Sequence, residues 1–238
     1  GRVREIYNKP TGTHYVHPDP LSSITFGKDE PEPPFTVYAY PADGPFHFKD
    51  YEEEQFAGFS MALPELVDEK PGDLIRLRGQ TESNPAVETA EGQDNQSITF
   101  RYLLQGGISL AYTVRLPENS CLSEWTVRVE NEPSDDRAGK LRVYRVAFPV
   151  LDRLCIGTNP TRNYLARPFV QGELIPNPSR YTFRAGRGWP TYALTYPGWA
   201  SMPWLDLYKD DKKKGRVDSG LYLASYDPKF AQIDLVSV

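Results

Sequence analysis

The chain has 238 residues, with 22 Pro, 18 Gly, 15 Tyr and 11 Phe, a composition that argues against a helical protein and for many short strands joined by turns. Its net charge is −5, and its one basic run, Lys212-Lys213-Lys214, adjoins Asp210 and Asp211, so a nucleic-acid role lacks the concentrated basic face it needs. No apolar run reaches the roughly 18 residues of a membrane-spanning helix, and no stretch of the given sequence has the pattern expected of a signal peptide.

An all-β chain of this length fits one unit, since sandwiches often run to about 200–250 residues. Residues 1–238 are therefore read as a single β-sandwich domain, with the polar stretch 81–96 as the alternative boundary. The start at Gly1 and the apolar end Leu235-Val236-Ser237-Val238 suggest a fragment or processed form of a longer protein. Two cysteines, Cys121 and Cys155, do not make a disulfide scaffold; they are either free or joined in one bridge.

In chain order, residues 1–20 are broken by Pro10, Gly12, Pro18 and Pro20. His14 and His17 form an H-x-x-H pair, but the neighbouring prolines oppose a helix and no zincin glutamate accompanies them, so no metal is expected. Residues 27–35 form an acidic, proline-rich connector. Phe35–Tyr40 is a strand, and His47 sits among phenylalanines, where packing is the plainer role. Tyr51–Gln55 is an acidic cluster, read as a solvated turn. Gly58–Leu63 and Leu74–Leu77 are further strands, and Thr81–Gln96 is a loop. Ser97–Leu104 and Ile108–Leu116 make a hairpin around Gly106-Gly107. Ser123–Glu130 alternates Trp125, Val127 and Val129 with Glu124, Thr126, Arg128 and Glu130, the pattern of a half-buried strand. Leu141–Phe148 is mostly apolar on both sides and is expected at the centre of a sheet. Arg162, Asn163, Tyr164, Arg167 and Pro168 are placed in a loop between Gly157 and Gly172, where Arg167 is a candidate to grip a glycan or a carboxylate. Gly172–Pro178 is read as a structural turn.

The last fifty residues are the most distinctive. Trp204–Tyr208 and Leu221–Ser225 read as strands around a charged turn. Ahead of them lies a segment dense in aromatics and proline, with Trp189, Tyr192, Tyr196, Pro197, Trp199 and Met202 before Trp204. Every Trp except Trp125 is in this segment. Two readings stand: a buried corner between sheets, or a sugar-facing or domain-docking wall.

The runs Y-P-G-W-A-S-M-P-W (Tyr196–Trp204) and G-L-Y-L-A-S-Y-D-P (Gly220–Pro228), with Trp125–Asn131, Phe148-Pro149 and Gly172–Pro178 upstream, carry a resemblance. They are similar to the N-terminal β-domain of an uncharacterised bacterial family of glycoside-hydrolase-like proteins, over roughly residues 95–230. That resemblance implies a galactose-mutarotase-like β-supersandwich preceding a TIM-type catalytic barrel. The chain is then expected to be a non-catalytic ancillary domain of an enzyme of polysaccharide degradation. Its partners would be carbohydrate and the C-terminal catalytic domain of the parent chain, without a cofactor, in the periplasm or secreted. Trp189, Tyr196, Trp199, Met202, Trp204 and Arg167 are the expected substrate-binding or docking residues.

Two other functions remain open: a free-standing carbohydrate-binding module, and an aldose-epimerase-like enzyme. The epimerase would need a Glu base and a His acid, yet all three His precede residue 48 and none falls in the middle strands. A self-contained glycosidase would need a carboxylate pair at defined separation. Asp206, Asp218 and Asp227 lie near the aromatic segment, but no spacing singles out a pair.

Overall fold

The structure, a computed structural model, describes residues 6–9, 12–17, 34–41, 75–78, 85–92, 95–131, 141–151, 154–178, 192–197, 200–211, 216–227 and 233–237. The expected strand at 58–63, the acidic cluster at 51–55, His47, Trp189 and Trp199 lie outside them. Among the described residues strands dominate, and their pairings are all antiparallel. No helix among the described residues is long and apolar enough to cross a membrane. The chain divides into two compact units: one contains the described residues from 34 to 151, the other residues 6–17 and those from 154 onward.

The first unit contains β3 (Thr36–Pro41), β4 (Ile75–Arg78), β5 (Ala86–Glu91), β6 (Asn95–Leu104), β7 (Ile108–Pro117), β8 (Glu124–Asn131) and β9 (Leu141–Ala147). Strands β5-β6-β7-β8 form one sheet in sequence order, and β4-β3-β9 form another. They share a core. Phe35, Val37, Ala39, Leu77 and Leu141 from one side meet Tyr102, Leu104, Ile108, Leu110 and Tyr112 from the other. The Phe35 ring stands edge-on to Tyr102 at 4.9 Å. Each such fully buried side chain contributes about 1.5–3 kcal/mol of transfer free energy, so this inner row is what holds the two sheets face to face.

The hairpin at Gly106-Gly107 forms as expected. Both glycines have positive φ, 72° and 76°, a conformation that costs other residues about 1–2 kcal/mol. A Cβ on Gly106 would also lie 2.5 Å from Leu141 Cγ, so the turn packs directly on the opposite sheet. Strand β8 has the expected alternation, with Trp125, Val127 and Val129 half-buried and the residues between them exposed.

Two expectations here are corrected. The loop assigned to Thr81–Gln96 contains β5, paired to β6 from Ala86↔Arg101 to Glu91↔Gln96. All six residues of β5 are exposed, so this edge strand has no buried row to generate an alternation, and an ion pair between Glu88 and Arg101 at 3.2 Å marks its register. Strand β9, expected at the centre of a sheet, is at the end of the described β4-β3-β9 order. Its two apolar rows have a different cause. The register shifts from Tyr38↔Arg145 to Ala39↔Val143, leaving Tyr144 as an extra residue. Such a bulge reverses the alternation, so Leu141 and Val143 before it and Val146 and Phe148 after it all reach the same core.

The second unit contains β1 (Ile6–Asn8), β2 (Thr13–Val16), β10 (Asn163–Arg167), β11 (Glu173–Pro176), β12 (Tyr192–Tyr196), β13 (Trp204–Asp211), β14 (Arg216–Ala224) and β15 (Ile233–Ser237). Here β1 pairs β2, β12 pairs β15, and a four-stranded sheet has the order β11-β10-β13-β14. Residues 1–20 thus hold a small hairpin despite their prolines. Its second strand joins the next segment through Cys155 N–H to Tyr15 O, 3.0 Å, and Gly157 N–H to His14 O, 3.1 Å. Both cysteines are free: Cys121 is exposed and Cys155 buried.

Candidate functional site

Strand β10 was expected to be loop, and its sequence N-Y-L-A-R explains why. Its inward row is Asn163, Leu165 and Arg167, all buried, and two of the three are polar. Both polar side chains are engaged by near neighbours. Asn163 accepts from Ile156 N–H at 2.8 Å and donates to Ile156 O at 3.0 Å, closing the turn that precedes the strand. Arg167, 3% exposed, donates through Nε to Glu173 Oε2 at 2.6 Å and places Nη2 2.5 Å from the same oxygen. Its guanidinium also lies over Phe169 at 5.6 Å. A buried cation held this way is stabilised by its partner.

The outward row of the four-stranded sheet is the candidate site. Cross-strand partners share a face of a sheet, and the register assigns the residues. Tyr164 is opposite Tyr208, and Ala166 is opposite Asp206. On the next strand, Trp204 faces Ala224, Asp206 faces Tyr222, and Tyr208 faces Gly220. The Tyr164 and Tyr208 rings stack at 5.6 Å with 16° between their planes. Trp204 and Tyr222 approach to 6.2 Å. Asp206 sits between the two aromatic pairs. Leu174, opposite Ala166 on β11, extends the face and is exposed.

Gly220 shapes the floor. A Cβ there would lie 3.1 Å from Tyr208 Cβ and 3.2 Å from Asp206 Oδ1. The missing side chain lets the carboxylate lie low against β14 beside the Tyr208 ring. Burial of Asp206 pushes its pKa upward, because desolvation disfavours the ionised form. The Tyr222 hydroxyl is hydrogen-bonded to Tyr226, which raises the Tyr222 pKa together with burial and the nearby Asp206 charge. Tyr226 itself is 82% exposed.

Four of the residues expected to form a wall, Tyr196, Met202, Trp204 and Arg167, are described. Trp204 is on the outward row, half-buried. Met202 is exposed two residues earlier, and its carbonyl accepts from Trp204 N–H at 3.1 Å. Arg167 is on the opposite face of the same sheet, engaged by Glu173, so it is not placed to grip a glycan on the aromatic side. Tyr196 closes β12, whose pairing is with β15. Tyr208 and Tyr222 are not among the candidates the sequence singles out, and Tyr164 lies in a strand rather than the expected loop. The usable signal was the period of two in W-x-D-x-Y and G-x-Y-x-A, which puts each set on one face.

The histidine pair is packed. The His14 ring lies 4.7 Å from Tyr7 and 5.2 Å from His17. His17 is buried with Nε2 3.1 Å from Cys155 O. Among the described residues, no group of three or more His, Cys, Asp or Glu is arranged to hold a metal ion. No protein-family model, curated protein or solved structure matches this chain.

Proposed function

We propose that this chain is a non-catalytic carbohydrate-binding β-domain whose sugar platform is the outward face of β10, β13 and β14. The supporting observation is the pairing of four half-exposed or exposed rings, Tyr164 with Tyr208 and Trp204 with Tyr222, around the Asp206 carboxylate on one face of the sheet. Aromatic faces cover the apolar C–H surface of a pyranose, and a few placed polar groups fix its orientation. Rings anchored in strands present that surface without the ordering cost of a mobile loop. The resemblance of roughly residues 95–230 to the β-domain of glycoside-hydrolase-like proteins supplies the context: an ancillary domain serving a polysaccharide-degrading catalytic barrel, on a galactose-mutarotase-like supersandwich. A free-standing binding module would use the same face.

The test is a glycan array probed with the wild-type chain and with Trp204→Ala. Binding to a defined glycan that falls about tenfold or more in the variant, the scale of an interface anchor, is the expected result. Binding unchanged by Trp204→Ala, or none across the array, would count against the platform.

A further inference from the structure

We propose that the aromatic face selects sugars without an acidic group, directing a hydroxyl pair or an amino group onto the Asp206 carboxylate. This inference rests on the carbohydrate reading above and names the ligand class of that site. It starts from the charges in the outward row. On β13, Asp206 is flanked by Trp204 and Tyr208; β14 contributes Gly220, Tyr222 and Ala224; β10 contributes Tyr164 and Ala166; β11 contributes Leu174 and Pro176. Among the described side chains of that row, Asp206 is the one charged group. The basic residues of these strands whose side chains are described, Arg167 and Lys209, belong to the inward row, where Arg167 is paired with Glu173 and Lys209 Nζ comes within 3.6 Å of where a Cβ on Gly157 would lie.

An incoming carboxylate or sulfate would therefore meet a partly desolvated negative charge with no cation among the described side chains of that row to offset it. Like charges at such range repel, and more strongly than in bulk water. A neutral sugar meets an acceptor with two oxygens, suited to adjacent hydroxyls, and charge-assisted bonds of this kind are the stronger ones. A protonated amino group would add an ion pair. Gly220 keeps the carboxylate low, so the donor must come from a ring lying flat across Tyr208 and Tyr222 rather than from one standing on edge.

The experiment compares matched neutral, amino and uronic oligosaccharides, glucose with glucosamine and glucuronate series and galactose with its counterparts, by isothermal titration at pH 7. The wild-type chain should bind a neutral or amino member at least about tenfold more tightly than its uronate. Asp206→Asn, close to isosteric, should bring the neutral and uronate affinities within about threefold of each other. Equal or tighter uronate binding by the wild type overturns this inference while leaving the carbohydrate platform standing. Binding of no member of any series overturns the platform and the inference with it. The wild-type ratio decides the matter even where the variant fails to fold.

Discussion

Replacing Asn163 by alanine tests how the loop before β10 is held. The Asn163 side chain is 2% exposed and serves both backbone groups of Ile156, accepting from the N–H at 2.8 Å and donating to the carbonyl at 3.0 Å. Ile156 is itself fully buried, so water does not replace the lost partner. An unsatisfied buried polar group costs about 1–3 kcal/mol, so two such groups give about 2–6 kcal/mol for Asn163→Ala. That is a large share of the roughly 5–15 kcal/mol a domain has. The control lies four residues earlier in the same turn. Asn159 accepts from Thr161 N–H at 3.0 Å and from Thr161 Oγ1 at 2.7 Å, both exposed, and Asn159→Ala should cost about 1 kcal/mol. Urea unfolding followed by circular dichroism measures both. If Asn163→Ala is no more costly than Asn159→Ala, the clasp does not hold the turn as described.

Three further outcomes are expected. Gly106→Ala should destabilise the first unit by about 2–4 kcal/mol, combining positive-φ strain with the 2.5 Å approach to Leu141 Cγ, and a midpoint unchanged in urea would refute it. Asp206→Asn should raise stability at pH 7. Burial lifts the folded carboxyl pKa above its unfolded value, so the charge is a liability above the folded pKa; the variant's advantage should shrink as pH falls through it and vanish below about 3.9. A variant less stable than wild type at pH 7 would contradict this. A thiol reagent at pH 8 should modify Cys121 quickly and Cys155 only after unfolding, since Cys155 is buried with its pKa pushed up to about 11; two fast thiols in the native protein would contradict that burial.

Legibility in the sequence followed burial. The hairpin β6–β7 and strand β8 were readable because one face is buried and the other wet, and because Gly106-Gly107 marks the turn. Strand β5 was not, because A-V-E-T-A-E has two exposed faces. Strand β10 was not, because its buried row carries Asn and Arg, whose partners Ile156 and Glu173 are fixed only by the fold. For β9 the apolar character was read correctly and its position was not, since a bulge and a central location leave the same mark on composition. The aromatic segment drew attention to Trp204. Tyr222 reaches it, and Tyr164 reaches Tyr208, through cross-strand register, which no local spacing states, and Arg167 is on the other face for the same reason.

We propose that sugar binds on the outward face of β13 and β14. The most direct measurement is the affinity of Tyr222→Ala for the best glycan of the array, by isothermal titration, beside Leu103→Ala as control. Both side chains are exposed, Tyr222 at 45% and Leu103 at 68%, and Leu103 belongs to the other unit, so truncation of either leaves the folds intact. The account predicts a loss of about tenfold or more for Tyr222→Ala and wild-type affinity for Leu103→Ala. Wild-type affinity for Tyr222→Ala, or equal losses in the two variants, would contradict it.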